Sequence, residues 1–330
     1  MSAAVGWGVA GCGWVARDHA LPALAATPGA RVVALHDRDP GALARVPVDA
    51  PAHADLGAFL ATPGLDAVYV AVPNAAHREV VEAVAAAGKA VLCEKPLASN
   101  AHEARQVVEA ALAAGRPLIE AFHYRHHPVA KFVEATLRSG ALGRLRRLDA
   151  RLKIGSDRLA PDNIRFQSEL AGGATMDLGA YCINLLRLCV GEEPSVEQAT
   201  PALFGPGVDL AMEAQLQFPG GAQATFACSL GAERFETGLT VEGEHGALHC
   251  DNPFLPRPGA SVRVDVGGES RTTRFDEPAT YVFQARALAR VIRDGAPNLT
   301  SGTDGIANME VIDAVYRKAG MQPRRAAVAA

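Results

Sequence analysis

The sequence predicts an α/β chain: an N-terminal domain around a parallel sheet, then a C-terminal α+β domain with a large open, mainly antiparallel sheet. Three observations predict it. Apolar runs alternate with helical stretches from residue 5 to 122, the pattern of βαβ units. A glycine-rich turn joins the first strand to the first helix. Beyond 122, strands follow one another across Gly and Pro turns of hairpin length, which implies antiparallel pairing. A chain of 330 residues has room for two cores, and the division is placed at 1–122 and 123–330.

A strand over 5–10 runs into Gly11, Gly13 and Ala16. This is G-x-G-x-x-A, the dinucleotide-binding turn of a Rossmann domain with its last glycine replaced by alanine. Gly11 permits the tight turn and Gly13 lets the backbone approach a pyrophosphate. Ala16 lets the helix, read over Val15 to Ala26, pack closely on the sheet while its first N–H groups face the phosphates. A second strand, 31–36, ends at Asp37, 21 residues beyond Ala16, where an acid accepts hydrogen bonds from an adenosine ribose. Asp37 would repel a 2′-phosphate, whereas Arg38 could stack on adenine or bind that phosphate. The acid decides for NAD, with NADP as the alternative.

Short helices follow at 40–44 and 55–60, then a strand at 65–72 ending in Val72, Pro73 and Asn74. His77 opens the next helix, which Gly88 closes. A strand at 89–93 ends in Glu94, Lys95 and Pro96; helix 100–114 and strand 117–122 complete the alternation. Ligands bind beyond the carboxyl ends of such strands, so the Gly11–Ala16 turn, Asp37, Pro73, Asn74, Glu94, Lys95 and His123 are expected to share one cleft. The second half reads as a helix over 129–139, a strand over 144–153 and a helix from Asp177 to Val190. Strands at 196–204, 211–218, 223–230, 237–242, 247–251 and 261–266 follow, then helices at 281–294 and 304–317. Residues 321–330 read as a frayed tail. An open sheet with helices on one face leaves the other to be covered, so a homodimer or homotetramer through this sheet is expected.

Composition narrows the function. Apolar content of 49% and charged content of 21% are those of a globular protein, and a net charge of −4 gives no reason to expect nucleic acid or an anionic membrane. The first strand leaves no room for a leader and no apolar run spans a bilayer, so a cytoplasmic location and no membrane partner are expected. Six cysteines form no C-x-x-C pair and the histidines show no ligand spacing; reduced thiols and no metal are expected. Lys95 stands out because only five of the 32 basic residues are lysines, and a lysine in a cleft can shift its pKa where an arginine cannot. Asp177 and Tyr181, four apart on one helix, face the same way. They either hydrogen-bond a hydroxylated substrate or are an N-terminal helix acid and a core tyrosine.

The motifs Gly11-x-Gly13-x-x-Ala16, Val72-Pro73-Asn74-x-x-His77, Glu94-Lys95-Pro96, Glu120-Ala121-Phe122-x-Tyr124-Arg125, Gly172-Gly173-x-x-x-Asp177-x-Gly179-x-Tyr181 and Asn308 to Tyr316 cover nearly the whole chain. On these residues it resembles the glucose-fructose oxidoreductase/inositol 2-dehydrogenase (Gfo/Idh/MocA) family. Tyrosine at 181 is similar to the branch with D-xylose dehydrogenase, dihydrodiol dehydrogenase and sugar 3-ketoreductases. The resemblance implies an NAD(P)-dependent dehydrogenase or reductase acting on a sugar, sugar derivative or cyclic polyol, and a cis Lys95–Pro96 bond. It implies Tyr181 as general acid/base, Lys95 lowering its pKa and polarising the reacting oxygen, and Asp177 holding a substrate hydroxyl. The cofactor would be bound by Gly11, Gly13, Trp14, Val15, Ala16, Asp37, Arg38, Val72, Pro73, Asn74, His77, Glu94 and Lys95. His123 and Arg165, the latter beside Phe166, are further substrate-pocket candidates; a structural arginine paired to a carboxylate is the other reading of Arg165. Two other functions fit the fold: a sugar oxidoreductase holding its cofactor through a full redox cycle, and a dinucleotide-responsive regulatory protein without catalysis.

Overall fold

The computed structural model describes residues 4–155, 157 and 159–325. The chain forms two compact units, Met1–His126 with Thr280–Ile306, and His127–Ala279 with Ala307–Ala330.

The first unit is a Rossmann domain. Its elements are β1 (Val5–Ala10), α1 (Leu21–Ala25), β2 (Ala30–His36), α2 (Pro40–Ala44), β3 (Ala52–His53), α3 (Leu56–Leu60), β4 (Ala67–Val70), α4 (His77–Ala86), β5 (Ala90–Cys93), α5 (Ala101–Ala113) and β6 (Leu118–Glu120). The sheet is parallel in the order β3-β2-β1-β4-β5-β6. Every residue of β1, β4 and β5 is buried, which is why these strands are continuous apolar runs. Side-chain caps start the helices where the sequence offers them: Asp39, Asp55 and Asn100 accept from Gly41, Ala58 and Glu103 N–H. β3 lies between the helices expected at 40–44 and 55–60, where no strand is expected; a two-residue strand has no period to detect.

The helix Thr280–Asp294 also belongs here, so the division at 122 is crossed by a later return of the chain. Its Ala285 and Leu288 join the cluster of Trp7, Leu21, Leu24, Tyr69 and Leu92. Leu288 is fully buried, and truncating such a leucine to alanine costs about 2–5 kcal/mol. The chain then runs along β6, where Glu120 N–H donates to Thr300 O at 2.9 Å and Asn298 Nδ2 donates to Leu118 O at 2.7 Å.

The second unit carries α6 (Pro128–Arg138), β7 (Leu145–Gly155), α7 (Ala180–Val190), β8 (Ser195–Gly205), β9 (Val208–Gln217), β10 (Gln223–Ala232), β11 (Glu236–Gly243), β12 (Gly246–Cys250), β13 (Ala260–Val266) and β14 (Glu269–Phe275). The last helices of the chain are α8, the Thr280–Asp294 helix of the first unit, and α9 (Gly302–Lys318). The eight-stranded sheet runs β14-β13-β12-β11-β7-β10-β9-β8 and is antiparallel except for the β7–β10 pair. Leu148, Ala150 and Leu152 of β7 are buried and alternate with Arg147, Asp149, Arg151 and Lys153. β14 went unread because none of its residues is buried; the Gly267-Gly268 turn ahead of it is the hairpin signal that marks it.

The expected frayed tail is contradicted where the structure describes it: Arg324 is buried at 6% exposure, held by partners given below. Residues 326–330 of that expectation lie outside the described residues. Among the described residues no helix is long and apolar enough to cross a membrane.

Candidate active site

β1 and β4 are neighbours at the point where the strand order reverses, the crevice where open α/β sheets bind ligands. Gly11 leaves β1 with φ +90°, and a Cβ there would lie 2.5 Å from the Ala71 carbonyl group, so only glycine fits. Gly13 faces open space, with no atom within 4 Å of a Cβ placed on it. Beyond it Trp14 is 56% exposed and Ala16 fully buried, and the helix passes through a π turn, Ala16–Ala20. Asp37 is fixed against this turn: its Oδ2 accepts Cys12 N–H at 2.8 Å and its Oδ1 accepts Asp39 N–H at 2.9 Å. Arg38 reaches Glu79, Nη2 to Oε1 3.2 Å, on the open surface. A close backbone approach over Gly13, a helix start and an acid fixed at the end of β2 fit a dinucleotide.

After β4, Val72, Pro73 and Asn74 are half-exposed. His77 lies fully buried beneath them, between the two loops, its ring nitrogens 3.0 Å from Val72 O and 2.9 Å from Pro96 O. Burial pulls its pKa down to about 4, and the neutral ring donates through one nitrogen only. Glu94 is buried at the end of β5, accepting from the Tyr69 hydroxyl and, at 3.2 Å, from Lys95 N–H. Lys95 is half-buried and its bond to Pro96 is cis. His123 is buried and stacks on Tyr281, ring centroids 4.2 Å apart, with His19 against the same ring at 5.1 Å.

In the second unit, Gly172 and Gly173 lead into a π turn, Thr175–Gly179, which continues directly into α7. Asp177 lies in the π turn and Tyr181 in the first turn of α7. Arg165 is paired to a carboxylate, and that carboxylate is Asp177: Nε to Oδ2 2.6 Å, with both side chains largely buried. Asn163 holds the arginine, accepting from Arg165 N–H at 3.1 Å and from Nη1 at 3.4 Å. Tyr181 is 7% exposed and packs against Phe254 at 5.7 Å, while Phe166 stacks on Phe204 at 4.2 Å. Asn308 Nδ2 donates to Ala180 O at 3.2 Å, anchoring α7 to α9.

Sequence reasoning missed Asp209, Thr175 and Arg324, which lie beneath the Gly172-Gly173 turn. β9 begins at Val208, whereas the strand expected at 211–218 leaves Asp209 outside. A register shift opposite it, between Ala202 and Leu203 of β8, turns it into the core. All six cysteines are buried. Among the described residues no group of His, Cys, Asp and Glu is placed to hold a metal ion.

Residues 5–122 match the GFO/IDH/MocA oxidoreductase family, NAD-binding Rossmann fold, and residues 131–249 match the GFO/IDH/MocA C-terminal domain. A D-xylose 1-dehydrogenase (NADP(+)) of Haloferax volcanii is 32% identical over 314 residues, covering 92% of this chain and 91% of the relative. The crystal structure of aldose-aldose oxidoreductase from Caulobacter crescentus superposes with a TM-score of 0.87 at 28% identity, over 96% of this chain and 98% of that one. A 3-ketoreductase from Actinomadura kijaniata, solved with NADP and TDP-benzene, gives 0.87 at 26% identity over the same shares. With both halves matched and a relative this similar along nearly the full length, the chain belongs to the GFO/IDH/MocA family and is an NAD(P)-dependent oxidoreductase.

Proposed function

We propose that the protein transfers a hydride between NAD(P) and a C–OH/C=O group of a sugar, sugar derivative or cyclic polyol, with Lys95 and Tyr181 acting on the reacting carbon–oxygen bond. The observation that carries the reading is the open turn at Gly13 beside a fixed Asp37, in a chain that also retains Lys95, Asp177 and Tyr181. The bound nicotinamide supplies the hydride acceptor or donor. Tyr181 holds or moves the proton at the substrate oxygen. The Lys95 ammonium stabilises the tyrosinate and polarises that oxygen. Asp177 works as a pair with Arg165, so a substrate hydroxyl meets an acceptor with a guanidinium already bound to it. Retention of these groups together speaks against a regulatory protein without catalysis.

NAD is the preferred cofactor in this reading, because Asp37 presents a carboxylate where a 2′-phosphate would need a cation and Arg38 is drawn to Glu79. Self-association through the sheet face bearing Arg147, Asp149, Arg151 and Lys153 belongs to the same proposal, and light scattering on the purified chain tests it. The decisive assay follows the absorbance of reduced nicotinamide with NAD or NADP and D-xylose, D-glucose or myo-inositol. Reduction with one of these sugars or the cyclitol supports the proposal. Dinucleotide binding with no turnover in either direction, including with keto-sugars, contradicts it and leaves the regulatory reading.

A further inference from the structure

Beneath the Gly172-Gly173 turn lies a closed polar cluster that the proposed chemistry does not use. Asp209 is fully buried. Its Oδ2 accepts Thr175 N–H at 2.6 Å and the Thr175 hydroxyl at 2.7 Å. Its Oδ1 accepts the Tyr316 hydroxyl at 2.9 Å and Arg324 Nη2 at 2.6 Å. Arg324 spreads its fork further: Nε donates to Gly172 O at 2.7 Å, Nη1 to Gly207 O, and its Cζ lies 4.2 Å from the centre of the Tyr316 ring. An isolated buried carboxylate is costly, and this one is offset by a cation and a full set of donors. The fit is at contact distance, because a Cβ on Gly173 (φ +125°) would lie 2.1 Å from Asp209 Oδ1 and 2.5 Å from Arg324 Nη2.

What the cluster fixes is a direction. Thr175 opens the π turn that contains Asp177 and runs into α7 with Tyr181. Arg324 grips Gly172 on one side of the glycine pair, and Asp209 grips Thr175 on the other. The same ion pair therefore holds both ends of the turn that aims the helix.

We propose that Asp209, Tyr316 and Arg324 are positioning residues for the reaction, clamping the start of the helix that carries Asp177 and Tyr181. The segment through Arg324 is then part of the catalytic apparatus and not a tail. The proposal rests on the role of Tyr181 given above. A displacement of about 1 Å at a reacting group costs on the order of 100-fold in rate, which sets the loss expected for Arg324→Met. Arg324→Lys keeps the charge without the planar fork and recovers part of that loss. Tyr316→Phe removes one buried hydroxyl and lowers kcat by about 10-fold.

The test compares the full-length parent, these three variants, Tyr181→Phe and the double variant Tyr181→Phe/Arg324→Met. Thermal melting and circular dichroism check folding, tryptophan fluorescence reads NAD affinity, and steady-state rates are taken with D-xylose, D-glucose and myo-inositol. The expected result is folded protein, NAD affinity within about twofold of the parent and a loss confined to kcat with the substrate. In the Tyr181→Phe background Arg324→Met should add less than about threefold, because it acts through Tyr181. Parent-like kcat in folded Arg324→Met and Tyr316→Phe overturns the proposal, as does a kcat loss that is fully additive with Tyr181→Phe. If Arg324→Met does not fold, Tyr316→Phe decides alone. Loss of turnover in Tyr181→Phe with parent-like Arg324 variants overturns this proposal only. Parent-like turnover in Tyr181→Phe, or a parent inert toward all three compounds and toward keto-sugars in the reverse direction, overturns the underlying reading and this one with it.

Discussion

At Gly11 and Gly13 in the first unit, and at Gly172 and Gly173 in the second, glycines lead into a helix whose early turn is π-helical. A carboxylate accepts a backbone N–H in both places, Asp37 from Cys12 and Asp209 from Thr175. The resemblance ends at the second glycine. Gly13 faces open space, whereas Gly173 is walled in by Asp209, Arg324 and Tyr316. The first turn leaves its amide dipoles open, and on the proposed function they meet the dinucleotide phosphates. The second brings its own anion, neutralised by Arg324, and offers the side chains of Asp177 and Tyr181. On the proposed function, one local device serves two tasks, binding a ligand and holding catalytic groups still. Sites with π turns are frequently functional, and here the burial of the second glycine tells the two tasks apart.

The comparison can be broken most sharply at the chemistry. Lys95→Ala should lower turnover by about 10²–10⁴-fold with dinucleotide affinity little changed, as read by steady-state rates beside a fluorescence titration. A collapse of affinity with normal turnover at saturation would move Lys95 to the binding task. Next come the second glycines themselves. Gly173→Ala should cost more than about 3 kcal/mol of stability, through overlap with a buried ion pair in a backbone conformation alanine avoids. Gly13→Ala should melt within about 1 kcal/mol of the parent but bind the dinucleotide at least about 10-fold more weakly. Melting curves and titrations on both variants check this, and the reverse pattern would refute the division of labour.

The loop beside the first turn gives a pH test. His77 is held near pKa 4 by burial against an ordinary 6.5, so the unfolded chain binds the extra proton between those values. Stability is therefore full above pH 6.5 and falls as the pH drops toward 4, by about 3 kcal/mol from this residue. Denaturant titrations at pH 7 and pH 4.5 should show a smaller difference in His77→Gln than in the parent; an unchanged difference would mean that His77 titrates normally. The smallest effect is expected at Asp37→Ser, which should shift the NAD to NADP affinity ratio toward NADP by about 10-fold, roughly 1.4 kcal/mol.

The first turn was legible in the sequence because its contacts are local or strand-terminal. Strand, Gly-x-Gly, helix, strand and acid follow in order, and Asp37 is where the spacing puts it. The second turn was legible only on its surface. Gly172, Gly173, Asp177 and Tyr181 were visible as a motif. The carboxylate that holds them comes from a bulged strand 34 residues away, and the guanidinium from a segment that looks like a tail. Asp209 lies ahead of the strand expected at 211–218, and an irregularity of register between it and Ala211 puts its side chain on the buried face, which no alternating pattern marks. Helix Thr280–Asp294 had its amphipathic period in plain view. Which sheet it packs on is a matter of shape between Leu288, Ala285 and Trp7, and no local pattern carries that.

The measurement that bears most directly on the account is the turnover of Tyr181→Phe beside its dinucleotide affinity. The account predicts a loss of kcat by about 10²–10⁴-fold in a protein that melts like the parent and binds NAD equally well. Parent-like kcat would contradict it, and would return Tyr181 to the core beside Phe254.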